Sequence, residues 1–175
     1  MKPLKIGILT ASDRATRGQY EDRSGPAIVD YLAEVVVSPY QTVSRCVEDR
    51  LETLVETLVT LVDEEGCGLV ITTGGTGPTP RDVTPEATEA VCDKMLPGFG
   101  EQMRRVSLQY VPTAILSRQT AGLRGRTLVV NLPGQPRAIA QCLDAVFPAI
   151  PACLKLIDSD EIRTNTSRFV AHPTK

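Results

Sequence analysis

Histidine occurs once among the 175 residues, at position 172 near the carboxyl end, in a tail expected to be disordered. A histidine general base in the body of the chain is therefore excluded, and a catalytic thiol is disfavoured for the same reason. The five cysteines, Cys46, Cys67, Cys92, Cys142 and Cys153, are scattered, odd in number and without C-x-x-C spacing. They read as reduced core residues, not as a zinc site or a disulfide framework. Also missing are G-x-x-x-x-G-K-[ST] and G-x-G-x-x-G, which argues against a P-loop NTPase and a dinucleotide dehydrogenase. Net charge is only −2 with a pI near 5.5, so no bulk positive field exists to hold nucleic acid or an anionic membrane. No apolar run looks long enough to span a bilayer, and Met1-Lys2-Pro3 leads directly into a strand-like segment without a signal peptide. The expectation is a soluble cytoplasmic protein. Internal repeats, low-complexity tracts and interdomain linkers are absent as well.

What is present suits one compact domain over 1–158, followed by a polar tail over 159–175; the chain is 42% hydrophobic. Its most informative stretch is LVITTGGTGPTPRDVTPE, Leu69 to Glu86. Leu69-Val70-Ile71-Thr72-Thr73 is short, apolar and β-branched, as a buried strand of a parallel sheet would be. In Gly74-Gly75-Thr76-Gly77 the missing side chains let a ligand approach main-chain N–H groups. Thr84-Pro85-Glu86 reads as a helix start, with Thr84 at the N-cap and Pro85 at N1. Strand, glycine loop, the pair Arg81-Asp82 and a helix N-terminus form the order in which open α/β sheets present ligand sites at the carboxyl ends of their strands. A tight turn that merely needs glycine is the competing reading.

Taken in order, Leu4 to Ser12 predicts a first strand, and Asp13 to Gly18 a polar loop containing Arg14, a second possible ligand loop. Ser24-Gly25-Pro26 supplies an N-cap and an early proline for a helix with Ile28, Leu32, Val35 and Val36 on one face. Gln41 to Val47 predicts a second strand. Leu51, Leu54, Val55, Leu58, Val59 and Val62 follow the spacing of an amphipathic helix. Glu48 and Asp49 precede that helix and either cap it or, if the sheet is parallel, stand on the same rim as the glycine loop, so that Asp49 and Asp82 face one pocket. Pro85 to Lys94 continues as helix, Pro97 to Gly100 marks a break, and Glu101 to Tyr110 is helical until Pro112. Ala114 to Arg118 stays ambiguous between strand and helix, and Gly122 to Arg126 reads as a turn. Thr127 to Leu132 is a clear strand, ending in Asn131-Leu132-Pro133-Gly134-Gln135-Pro136, either a plain turn or another ligand junction. The last helix carries Ile139, Cys142, Leu143, Val146 and Ile150 on one face, with Pro148 and Pro151 bending or restarting it.

The run from Thr72 to Thr88, TTGGTGPTPRDVTPEAT, resembles the signature of the molybdopterin-binding family. The opening Gly7 to Arg14, the segment Pro97 to Arg104, Ile115 to Arg118 and Asn131 to Pro136 match in order, so nearly the whole chain is covered. Within the family it is most similar to the MogA-type molybdopterin adenylyltransferases, and through them to the G domain of gephyrin. The resemblance implies a three-layer α/β sandwich, with a mostly parallel central sheet flanked by helices, that assembles as a homotrimer. It implies ATP-dependent adenylylation of molybdopterin, giving adenylyl-molybdopterin and pyrophosphate in molybdenum cofactor synthesis, and handover to a molybdenum insertase. By motif position, Asp82 and Asp49 match the family's acidic pair and Gly74 to Gly77 its phosphate-handling loop.

Such a reaction needs no strong base, because its nucleophile, a terminal phosphate, is already ionised. It needs two polyanions held in line, which is a matter of positioning and charge neutralisation. Asp82 and Asp49 suit Mg2+ brought in with ATP, since magnesium uses one or two protein carboxylates plus phosphate oxygens and water. The amides of Gly75, Thr76 and Gly77, beside Thr73 and Gly74, would cradle phosphate. Ser12, Asp13, Arg14, Ser117, Arg118, Asn131, Pro133 and Gly134 are further candidate contacts. The alternatives are a non-catalytic pterin-binding or scaffolding module on the same fold, and an enzyme acting on a nucleotide pyrophosphate.

Overall fold

The computed structural model describes residues 2–169. His172 lies outside the described residues. Six strands form one sheet in the order β2-β1-β3-β6-β5-β4, where β1 is Leu4–Ala11, β2 Tyr40–Val47, β3 Leu69–Thr73, β4 Lys94–Met95, β5 Ala121–Arg124 and β6 Thr127–Leu132. The first four run parallel, and β5 and β4 close one edge antiparallel, so the sheet is mostly parallel as the sequence predicts.

Side chains alternate across the sheet and seed two cores. Leu69 and Ile71 of β3, with Leu128 and Val130 of β6, meet α2 (Ser24–Val35), α5 (Pro97–Ser107) and α6 (Pro136–Val146) on one face. Val70 and Val129 meet α3 (Leu51–Val59) and α4 (Thr84–Val91) on the other through Leu54, Leu58, Ala87 and Val91. These are the three layers. The β1–α2–β2 connection and the β2–α3–β3 connection lie on opposite faces, so the crevice outside the carboxyl ends of β1 and β3 is a topological switch point.

Several local expectations are corrected. Asp13 to Gly18 is not all loop: Asp13–Thr16 forms the short helix α1, with Ser12 as N-cap accepting from the Ala15 N–H at 3.2 Å. Ser24 does not cap α2; Oδ1 of Asp22 accepts from the N–H groups of Ser24 at 2.9 Å and Gly25 at 3.1 Å. Thr84 caps nothing either, and its hydroxyl is buried without a partner. The helix expected to reach Lys94 ends at Val91, where Cys92 turns extended and the edge strand β4 begins. Pro97 to Gly100 is no break but the first turn of α5: Pro97 sits where no N–H is needed, and a Cβ on Gly100 would overlap the Gln119 carbonyl. That helix stops at Ser107, and Pro112–Leu116 is a 3-10 turn, neither strand nor α-helix. The turn expected over Gly122 to Arg126 shrinks to Gly125-Arg126, since β5 extends to Arg124 and Gly125 takes φ 53°.

Pro148 does interrupt the last helix: a 3-10 turn at Phe147–Ala149 precedes α7 (Ile150–Leu156). By length and composition Pro136–Leu156 is apolar enough to cross a membrane, contrary to the expectation that no run is. Its apolar face, Ile139, Leu143, Val146, Phe147, Ile150 and Leu154, is spent in the core instead. After α7 the chain returns along the end of α2, where Ile162 is buried and the Val37 N–H donates to Arg163 O at 2.9 Å.

Candidate active site

Four parallel strands end level with one another, Ala11 beside Val47, Thr10 beside Thr73 and Thr73 beside Leu132. The loops that follow therefore converge on one cleft of about 710 Å3. After β1 come Ser12, Asp13 and Arg14; after β2, Asp49; after β3, Gly74 to Gly77, Arg81 and Asp82; after β6, Gly134 and Gln135.

The glycine loop is shaped by close approach. Gly74 has φ 92° and Gly75 φ 63°, both in the left-handed region that side chains resist. A Cβ on Gly74 would overlap the Ala11 carbonyl oxygen, and one on Gly75 would overlap the Thr84 hydroxyl and stand 2.7 Å from Oδ1 of Asp49. Gly134 packs flat against Gly74, a Cβ there lying 3.3 Å from the Gly74 Cα. Gly74 N–H is used by Leu132 O at 3.3 Å, but among the described residues no acceptor engages the N–H groups of Gly75, Thr76 or Gly77. Three uncommitted amides on one turn are the kind of donor set that anion-binding turns use.

Asp49 stands half-buried at the head of α3 and forms no side-chain cap with it. Its backbone N–H donates to Oδ1 of Asp13 at 3.0 Å, and the Asp13 carboxylate also pairs with Arg81. Burial, reinforced by the charge of Asp82, pushes the Asp49 carboxyl up to about 6. Asp82 is held by Thr79, whose N–H donates to Oδ2 at 3.0 Å and whose hydroxyl does so at 2.6 Å.

The cleft thus brings together Ser12, Asp13, Arg14, Asp49, Thr73, Gly74, Gly75, Thr76, Gly77, Asp82 and Gly134. Four candidates stand apart. Asn131 is fully buried behind the loop, with its amide donating to Thr72 at 3.1 Å and Thr88 at 2.8 Å. Arg118 is spent on the loop's carbonyls and on Glu86, so it braces and does not line the cleft. Pro133 turns its carbonyl to the Thr73 hydroxyl at 2.9 Å. Ser117 and Pro133 instead line an adjoining cavity of about 600 Å3, which shares Thr76, Gly77 and Gln135 with the cleft and carries Tyr110, Val111 and Leu116 on its wall. The sequence reading missed Thr10, Tyr20, Asp22, Ser24 and Gln135 on the cleft wall. Asp22 was within reach, since an acid two residues before Ser24-Gly25-Pro26 is a capping signal; for Tyr20 no signal exists in the sequence.

Among the described residues no three His, Cys, Asp or Glu side chains gather to hold a metal ion unaided. Two carboxylates lining one cleft, Asp49 and Asp82, fit a magnesium ion that completes its shell with phosphate oxygens and water.

A family model described as "Probable molybdopterin binding domain" matches residues 7–152. The chain is 53% identical to the molybdopterin adenylyltransferase of Helicobacter pylori (strain ATCC 700392 / 26695), over 100% of this chain and 99% of that protein. It is 44% identical to that of Escherichia coli (strain K12), over 94% of this chain and 90% of the other. Among solved structures, the molybdopterin biosynthesis enzyme MoaB of Thermus thermophilus superposes with a TM-score of 0.80 at 42% identity, covering 88% of this chain and 96% of that one. Fold, cleft and similarity over most of the sequence agree, and the chain belongs to the molybdopterin-binding domain family.

Proposed function

We propose that this protein is a molybdopterin adenylyltransferase: it transfers the adenylyl group of ATP to the terminal phosphate of molybdopterin, giving adenylyl-molybdopterin and pyrophosphate in molybdenum cofactor synthesis. The observation that carries this reading is the placement of Asp49 and Asp82 in one cleft beside three uncommitted amides.

The chemistry asked of the chain is modest. A phosphate oxygen of the pterin forms a bond to the α-phosphorus while the bond to the pyrophosphate oxygen breaks, and the nucleophile arrives already ionised. Gly75, Thr76 and Gly77 bind phosphate oxygens through their amides without bringing side chains into the cleft. Asp49 and Asp82 would hold Mg2+ with ATP; when bound, that ion supplies charge neutralisation between the two polyanions. The two cavities meet at Thr76, Gly77 and Gln135, which gives two substrates adjoining sites with the reacting phosphates between them. The polar cleft suits the nucleotide's phosphates, and the more apolar neighbour a flat pterin.

We place the enzyme in the cytoplasm, working as a homotrimer that passes its product to a molybdenum insertase. Exposed Leu108, Tyr110, Val111, Ile115 and Leu116 support self-association or docking at that end of the molecule.

The test is incubation of the purified protein with molybdopterin and Mg-ATP, following pyrophosphate and adenylylated pterin together, with Asp82→Asn as control. Both products are expected from the native protein and almost none from the folded control. Pterin binding without either product would replace the enzyme with a binding module, and full turnover by Asp82→Asn would remove Asp82 from the mechanism.

A further inference from the structure

Two buried polar atoms near the cleft lack partners, the Thr84 hydroxyl and Oδ1 of Asp49. Both crowd the same point, the position that a Cβ on Gly75 would take. Thr84 is 1% exposed, and its own N–H is committed to Gly75 O at 3.1 Å, so the residue is fixed against the glycine loop. Its hydroxyl, unused as a helix cap, has a donor to give. The Asp49 oxygen is an acceptor sealed from water. Leaving both unpaired carries a desolvation penalty, which one hydrogen bond removes for the two together. Glycine at 75 is what leaves room for that approach.

We propose that Thr84 is a positioning residue for Asp49: its hydroxyl donates to Oδ1 and fixes the carboxylate in the orientation with which it lines the cleft. This rests on the reading of Asp49 as a group that holds Mg-ATP. Thr84 itself touches no substrate. Its effect passes entirely through Asp49, which is what distinguishes it from a residue that merely fills the core.

The experiment is calorimetric titration of four purified proteins, native, Thr84→Val, Asp49→Asn and the double variant, with ATP in the presence of Mg2+ and again with the metal chelated. Thr84→Val keeps the shape and loses the hydroxyl; it is expected to weaken Mg-ATP binding about tenfold, the scale of a hydrogen bond to a charged group, and to leave metal-free ATP binding unchanged. Thr84→Ser restores Mg-ATP affinity. In the Asp49→Asn background Thr84→Val changes nothing further, because the group it positions is gone. Thr84→Ala gives the same reading should the valine fail to fold, with circular dichroism as the check. Equal weakening in both backgrounds, or none in either, overturns the inference alone. A native protein that binds ATP no better with Mg2+ than without it overturns the metal-holding role of Asp49, and the inference with it.

Discussion

Arg118 reaches across to the glycine loop and donates from Nη2 to the main-chain oxygen of Asp82 at 2.6 Å. Its Nε donates to Gly77 O at 2.9 Å, and its own N–H to Thr76 O at 2.8 Å. Glu86 takes the rest of the guanidinium, and that partner holds its carboxyl below the ordinary range. An arginine so fully engaged sets the shape of the turn on which Asp82 rides, and it has little left for a phosphate.

Arg118→Lys and Arg118→Ala are therefore expected to behave alike. A lysine keeps the charge but cannot span two carbonyls and the Glu86 carboxylate with a planar fork. Chemical denaturation should show a loss of about 1–2 kcal/mol for either, and adenylylation should fall by similar factors in both. Full activity in the lysine variant would make Arg118 a charge contact instead of a brace.

Gly74 and Gly75 are expected to fail in different ways. An alanine at Gly74 meets main chain, the Ala11 carbonyl, on the rigid end of β1, and it carries left-handed strain as well. Its cost should appear in stability, about 2–4 kcal/mol. At Gly75 the new methyl meets side-chain atoms of Thr84 and Asp49 and no main chain. Gly75→Ala should lose less stability yet a larger share of activity, because it displaces Asp49. Thermal melting beside the pyrophosphate assay separates the two, and equal losses on both axes would refute the distinction.

The start of α2 offers a third test. Asp22 accepts from two amides of the first turn and from the Thr10 hydroxyl at 2.8 Å. Ser24 does no capping and donates instead to Gly134 O at 2.8 Å. Asp22→Ala should cost about 1–2 kcal/mol, the range of a lost cap, and Ser24→Ala under about 1 kcal/mol. The reverse order in urea melts would return the cap to Ser24.

The parallel core of this fold was legible because β3 and β6 are continuous apolar runs, and because α3 repeats its apolar residues at helical spacing. Placing Asp49 and Asp82 on one rim needed only the rule that parallel strands end together. What the sequence concealed was settled by contacts between distant segments. Gly100 looks like a helix breaker until the Gln119 carbonyl is seen pressed against it. Ser24 and Thr84 have the right identity for caps, yet Asp22 and the packing at Gly75 decide otherwise. Asn131 and Arg118 look like ligand contacts by type, and only the tertiary structure turns one inward to Thr72 and Thr88 and the other onto loop carbonyls. Polar residue type reports capacity, and long-range packing decides which partner uses it.

The raised Asp49 carboxyl makes a prediction about stability that runs opposite to its value for function. Its folded value of about 6 lies above the ordinary 3.8, so between those values the native state binds more protons than the unfolded one. Stability from this group is fully present below pH 3.8 and is lost as pH rises through about 6. Above that the folded protein carries a half-buried carboxylate near the charge of Asp82. Asp49→Asn removes the charge and should stabilise the metal-free protein at pH 8 by about 1 kcal/mol, a figure kept low because the half-exposed group is screened by solvent. That corresponds to about 2–4 °C in Tm for a chain of this size. Toward pH 4 the advantage should vanish, since the native aspartate is then protonated and nearly isosteric with asparagine. A variant more stable at pH 8 and nearly inactive would mark Asp49 as a charge maintained for chemistry at the expense of the fold; a Tm difference constant from pH 4 to pH 8 would show that its burial leaves its ionisation unaffected.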